Sequence, residues 1–302
     1  MSTQPVNPLR EPIDFQSRSM RMNSVWRSVM NYVVGSLSIA ATLIVLLPLA
    51  AILFYLVYKG ASSLNLAFFT DVPVPVGQEG GGMANAIVGS GIILALASVM
   101  GIPIGIAAGV YLAEFGQGTF LANAIRFTAD VLNGVPSIVM GIAVFALLVQ
   151  GRHFSAFAGG VALAIMMIPT VTRTTEEMLA TVPHAIREAA LGLGVPKWRT
   201  VISVGLRTAS PGIITGCMLA FARVAGETAP LLFTAFGNQF WSVKLNEPIA
   251  ALPLQIYVYA LGPYDEWHRL AWAGALVLIV LIMVSVTLVR IYANRGVLKG
   301  GS

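Results

Sequence analysis

Cysteine, histidine and charge are all scarce in this chain. The single cysteine, Cys217, excludes an intrachain disulfide and, set in an apolar run, says nothing of redox compartment. The 3 histidines, His153, His184 and His268, have no metal-ligand companion at helical spacing, so no metal site is expected. Asp and Glu number 13 and Lys and Arg 18 in 302 residues, 10% in all. A soluble domain carries about 25% charged residues, so this chain cannot cover a water-facing globule. It has no Gly-x-x-x-x-Gly-Lys-Ser/Thr loop to cradle nucleotide phosphates and no nucleophile–base arrangement, so it is not expected to be an enzyme by itself.

What the sequence has instead is apolar length. Hydrophobic residues make up 57% of the chain, and mean hydropathy is +0.80. Six apolar runs stand out: Val33–Tyr58, Ala86–Leu112, Val135–Val149, Ala156–Val171, Gly212–Ala235 and Ala271–Val289. A span needs roughly 20 residues, and the two shortest runs extend through less apolar flanks. The first run is long for a signal peptide and is read as a retained span. The expected fold class is therefore an all-α integral membrane protein with six transmembrane helices.

Charge distribution orients it. Thirteen of the 18 Lys and Arg, from Arg10 to Lys299, fall on the side that holds the N-terminus. Lys59, Arg152, Lys244 and Arg269 fall on the other side, and Arg223 lies inside a run. By the positive-inside rule both termini are cytoplasmic and the protein is multi-pass. The same distribution makes the net charge of +5 a topology signal beside membrane lipid, and no nucleic-acid partner is expected. Residues 1–30 form a polar cytoplasmic arm leading to a short helix, 31–295 the membrane domain and 296–302 a tail. The outer loop from Gly237 to Arg269 is partly apolar and is expected to pack back into the outer mouth.

Three local patterns carry function. Gly101, Gly105 and Gly109 make a small-residue stripe, either for packing within the chain or for a subunit interface. Between the fourth and fifth runs lies the longest inner loop, about 176–207. Thr181 and Pro183 start a helix there, and Gly192 or Gly194 ends it in the left-handed conformation. Pro196 starts a second helix, with Trp198, Val201, Ile202 and Gly205 on one face. Finally, Arg223 and Glu227 stand four apart in an apolar run, so they are expected on one helix face near mid-depth. A charge there costs roughly 2.5–3.5 kcal/mol and calls for a partner or a task. The two side chains form either a closed ion pair or a site in which the guanidinium meets an oxyanion. Thr228 adds a hydroxyl. Asn133 and Ser137 open the third run with polar groups that either line a path or cap a helix start.

The loop resembles that of ABC importer permeases. Glu188-Ala189-Ala190 and Gly194 match its motif, as do Val204 and Leu206, while Arg207 stands where the family has proline. The resemblance implies the type I ABC importer permease fold, with this loop as the cytoplasmic coupling helix seated in a cleft of an ATPase subunit. More specifically, Ala222–Ala235, Asn133–Gly141 and Ala84–Ser90 resemble phosphate-transporter permeases over about residues 30–295. That likeness implies phosphate as substrate, alternating access, and residence in the bacterial inner membrane. It implies as partners a second homologous permease, an ATPase dimer that binds ATP and Mg, and a periplasmic phosphate-binding protein. The substrate path would include Arg223, Glu227, Thr228, Asn133 and Ser137, and the ATPase coupling residues would be Glu188, Ala189, Ala190 and Gly194. The other readings are an ATP-independent anion transporter or channel, and a non-transporting phosphate-sensing scaffold.

Overall fold

The computed structural model describes residues 18–75, 78 and 80–298, with side chains between 25 and 291. The arm before residue 18 and the last four residues of the tail lie outside the described residues. Helix dominates for a physical reason: in hydrocarbon each backbone N–H and C=O must find its partner within the segment. Among the described residues the only β pairing is an isolated bridge between Phe236 and Ile249.

Helix α1 runs unbroken from Arg18 to Ala61 and forms a unit to itself as far as Tyr55. Among the described residues no separate short helix precedes the first span, because nothing between Arg18 and Val33 breaks the helix. From Leu56 onward the second unit begins. A short helix α2 (Leu66–Thr70) precedes α3 (Ala84–Val110), which continues as a π-helical turn, Tyr111–Phe115. Next come α4 (Phe120–Gly134), α5 (Ser137–Val144) with its own π-helical turn Phe145–Val149, and α6 (Ala156–Ala180). Helix α7 (His184–Gly192) leads to α8 (Lys197–Thr200), which passes through a π-helical turn, Val201–Leu206, directly into α9 (Arg207–Ala225). The chain ends in α10 (Ala229–Thr234), α11 (Leu252–Leu261) and α12 (Asp265–Leu298). Among the described residues five helices are long and apolar enough to cross a membrane, and six if the bent α4–α5 pair counts as one span.

Helix α6 is the centre of the second unit, with α3 on one side and α9 on another. The glycine stripe makes the first contact. A Cβ at Gly101 would lie 3.2 Å from Ala164 O, at Gly105 2.7 Å from Val171 Cβ, and at Gly109 2.5 Å from Thr175 Cβ. All three glycines are buried, so the stripe serves packing within the chain. On α9, Gly212 and Gly216 leave equally little room beside Met178 and Thr174. Ile93, Leu163, Met167, Val171, Ile213 and Val224 fill the space between these helices. A second core gathers Phe68, Met83, Leu252, Tyr259 and Ala273.

The apolar loop after α10 does pack inward, as its composition predicts. Ile249, Ala250, Ala251 and Leu252 are at most 2% exposed. Buried Asn85 donates to Asn238 O at 2.8 Å, and Leu252 N donates to Ser90 Oγ at 2.7 Å. Helix α3 thus satisfies the backbone of an irregular segment that would otherwise be stranded.

Candidate functional site

Two helix breaks organise the site. The first separates α4 from α5, whose axes meet at 107°. Gly134 ends α4 and Pro136 caps α5, where proline has no N–H to give and biases Val135 away from the helical region. The second separates α9 from α10. Gly226 is the C-cap of α9 and Pro230 lies in the first turn of α10. Glycine in a helix costs about 1 kcal/mol relative to alanine, and the proline ring disfavours helix at the residue before it. The two breaks are neighbours, since α5 packs on α10 with Gly141 against Pro230.

This geometry corrects the sequence reading of Arg223 and Glu227. The expected span Gly212–Ala235 is not one helix: α9 ends at Ala225, and Glu227 lies in the break. Arg223 therefore stands in the last turn of α9 rather than mid-helix, and Glu227 does not share its helix face. Among the described residues no ion pair joins them. Apolar Leu231-Leu232-Phe233 beyond the break had made the run look continuous. Arg223 is exposed, and Glu227 and Thr228 are half-buried. A cation in the last turn also meets the negative end of the helix dipole.

Asn133 is exposed in the last turn of α4, and Ser137 is half-buried at the start of α5. Asn133 Oδ1 accepts from Thr170 Oγ1 at 3.4 Å, so its side chain faces α6 rather than capping α5. No hydrogen bond or ion pair links the five path residues to one another among the described residues. What the fold brings together is their backbone breaks, through α5 and α10.

Below Asn133 the sequence reading missed a ladder of charge between α4 and α6. Arg173 Nη2 sits 2.5 Å from Asp130 Oδ2, Arg126 Nε sits 2.7 Å from Glu176 Oε1, and Arg173 Nη1 reaches Glu176 Oε2 at 3.5 Å. Helix α6 carries Arg173 inside a continuous helix, beyond the end of the apolar run Ala156–Val171. The available signal was spacing: positions 126, 130 and 133 on α4 and 170, 173 and 176 on α6 recur every three or four residues, as antiparallel partners would.

At the same end of the bundle lies the tip loop. Thr181 closes α6 as its C-cap instead of starting α7, which Pro183 caps. Helix α7 ends in a Schellman turn: Val195 N donates to Ala190 O at 3.2 Å and Gly194 N to Leu191 O at 2.9 Å, with Gly194 at φ 80°. The choice between Gly192 and Gly194 falls to Gly194. Glu188, Ala189 and Gly194 are exposed and Ala190 is half-buried. The second helix expected from Pro196 is the beginning of the α8–α9 rod, which runs on through Arg207. Its expected apolar face divides, with Val201 and Gly205 buried and Trp198 and Ile202 exposed at 61% and 58%. Leu193 at the tip is 84% exposed.

The family described as binding-protein-dependent transport system inner membrane component matches residues 101–296. The phosphate transport system permease protein PstA of Yersinia pestis is 47% identical over 274 residues, covering 90% of this chain and 93% of that protein. The protein of the same name from Xylella fastidiosa is 51% identical over 231 residues, covering 76% and 80%. Among solved structures, a chain of a bacterial alginate ABC transporter, crystallised with its alginate pentasaccharide-bound periplasmic protein, superposes with a TM-score of 0.58. It is 12% identical and covers 89% of this chain and 96% of its own, a likeness of fold alone. With most of its length matched, the chain belongs to the binding-protein-dependent transport system inner membrane components, and among them to the PstA phosphate transport permeases.

Proposed function

We propose that this chain is the permease subunit of an ATP-driven importer that moves inorganic phosphate across the bacterial inner membrane by alternating access. It is a permease and not itself an enzyme. A separate ATPase dimer would bind ATP and Mg, a second homologous permease would complete the path, and a periplasmic phosphate-binding protein would deliver the substrate. Both termini would be cytoplasmic, which puts the tip loop on the ATPase side. The domain plan is a 1–30 arm, a 31–295 permease domain and a 296–302 tail.

Arg223 carries the substrate assignment. Its guanidinium is exposed beside a helix break in a mostly apolar bundle, with no carboxylate bound to it among the described residues. A planar fork of donors suits two oxygens of a phosphate. Glu227 and Thr228 in the same break, and Asn133 and Ser137 at the neighbouring one, would line the path around it. Glu227 keeps such a site weak, because an uncompensated arginine would trap a multivalent anion.

Glu188, Ala189, Ala190 and Gly194 would meet the ATPase subunit. Exposed Leu191, Leu193 and Trp198 around them offer apolar surface to a groove, and the two alanines keep that surface low. ATP-driven closure of the ATPase dimer would move this tip and rock the bundle.

Uptake into proteoliposomes tests the reading. The assembled complex should take up phosphate only with ATP, and Arg223→Gln should abolish uptake while assembly survives. Uptake by this chain without an ATPase subunit would overturn it in favour of an anion channel or secondary transporter. Full uptake by Arg223→Gln would overturn the path assignment in favour of a non-transporting sensor.

A further inference from the structure

Helix α7 is poorly fastened by ordinary packing. None of its residues is buried, and only Arg187 and Ala190 are even half-buried. Arg187 is the exception in kind: its side chain is 15% exposed, and the carboxylate it meets, Glu114, is 8% exposed. Arg187 Nη2 lies 2.9 Å from Glu114 Oε1 and donates to Leu179 O at 2.5 Å. Glu114 Oε1 takes no aligned hydrogen bond, so the contact is one of charge in a shielded place, where it is stronger than at a surface.

Glu114 belongs to the π-helical turn Tyr111–Phe115 that continues α3. The next residue of that turn, Phe115, receives Lys197 from the far side of the tip, with Nζ 4.8 Å from the ring centroid. A third element closes in: a Cβ at Gly205 would lie 3.9 Å from Glu114 Oε1 and 3.7 Å from Leu179 Cδ2. Both limbs of the tip loop thus converge on one turn. That turn is continuous with α3, and α3 is seated on α6 along three glycines that lie close against Ala164, Val171 and Thr175.

We propose that the turn Tyr111–Phe115 is the receiver of the tip loop's motion, and that Arg187 is the positioning residue that transmits it, through Glu114, to the α3–α6 pair. The inference rests on the coupling role given to Glu188–Gly194 above. Force applied to α7 has two routes into the bundle, along the chain into α8–α9 and across Arg187 into α3. The second route adds α3 to the α9 moved by the first, so that both sides of α6 move together, which a push along the chain alone does not achieve.

Phosphate uptake by the assembled complex in proteoliposomes, with ATP inside and loaded phosphate-binding protein outside, is the test. Arg187→Met should lower the maximal rate about tenfold while leaving half-saturation by the loaded binding protein unchanged, with ATPase subunits retained at native ratio. Glu114→Gln keeps volume and an acceptor oxygen but drops the charge, and should lower the rate about fivefold. The double variant should stay within about twofold of the worse single, as expected of two residues on one route. Native uptake by Arg187→Met, loss of the ATPase subunit from it, or a double variant whose losses multiply would each overturn the proposal. Should Arg187→Met fail to accumulate in membranes, Glu114→Gln decides alone: native uptake overturns the proposal, reduced uptake upholds it. Gly194→Val separates this inference from its premise. Native uptake there sinks the coupling role itself, whereas lost uptake there with native uptake in Arg187→Met sinks only the receiver.

Discussion

Gly141 lies directly against Pro230: a methyl group at position 141 would sit 2.7 Å from Pro230 Cα. The contact joins the segments that follow the two helix breaks, and it involves backbone that cannot step aside as a side chain would. Gly141→Ala should therefore cost about 1–3 kcal/mol by overpacking. Gly134→Ala, which meets nothing within 4 Å, should stay within about 0.5 kcal/mol. Unfolding midpoints of the two purified variants, measured side by side, check this, and equal midpoints would refute it.

Arg223 and Glu227 should behave as separate residues. Arg223→Gln should lower uptake by at least about tenfold. Arg223→Lys should not restore it, because an ammonium lacks the planar fork. Exchanging the two residues, Arg223→Glu with Glu227→Arg, should give no rescue, since no ion pair holds them in the structure. Rescue of uptake by the exchange would instead reveal a bonded pair.

Gly194 tests backbone conformation cleanly. A Cβ there meets nothing within 4 Å, and φ is +80°. The cost of Gly194→Val is thus conformational, about 1–2 kcal/mol, while asparagine visits the left-handed region routinely. Gly194→Asn should keep ATPase stimulation by loaded binding protein near native, and Gly194→Val should lose most of it. Equal stimulation in both would show that the Schellman turn is not what the partner reads.

The ladder between α4 and α6 should fail unequally. Asp130 is 57% exposed and holds Arg173 alone, so Asp130→Asn should cost about 1 kcal/mol or less. Glu176 is 16% exposed and meets both Arg126 and Arg173. Glu176→Gln leaves two guanidiniums short of a shielded carboxylate and should cost about 2 kcal/mol or more. Comparing the unfolding midpoints of the two variants decides the order, and a larger loss for Asp130→Asn would reverse it.

How much was legible in the sequence follows the range of each interaction. The spans were readable because apolar length is a property of consecutive residues, and the end of α7 was readable because Gly194 and Pro196 act within a turn. The stripe at Gly101, Gly105 and Gly109 was visible as spacing, although its partner Thr175 was not. The break at Gly226 was hidden, because Leu231-Leu232-Phe233 restores apolar composition at once, and a hydropathy reading averages across the three residues Gly226-Glu227-Thr228. Arg207 left the course of the chain after Pro196 open, and only the continuous helix resolved it. Asp130 with Arg173, and Arg187 with Glu114, join residues on different helices. Local pattern cannot pair them until the helices are packed.

The helical rod from Lys197 to Ala225 contains 29 residues, about 40 Å at 1.5 Å per residue, where a hydrocarbon core is about 30 Å thick. It is a lever longer than the barrier it crosses, with the tip loop at one end and Arg223 at the other. A tilt of about ten degrees about one end of a rod that long swings the other by about 7 Å, more than a phosphate is wide.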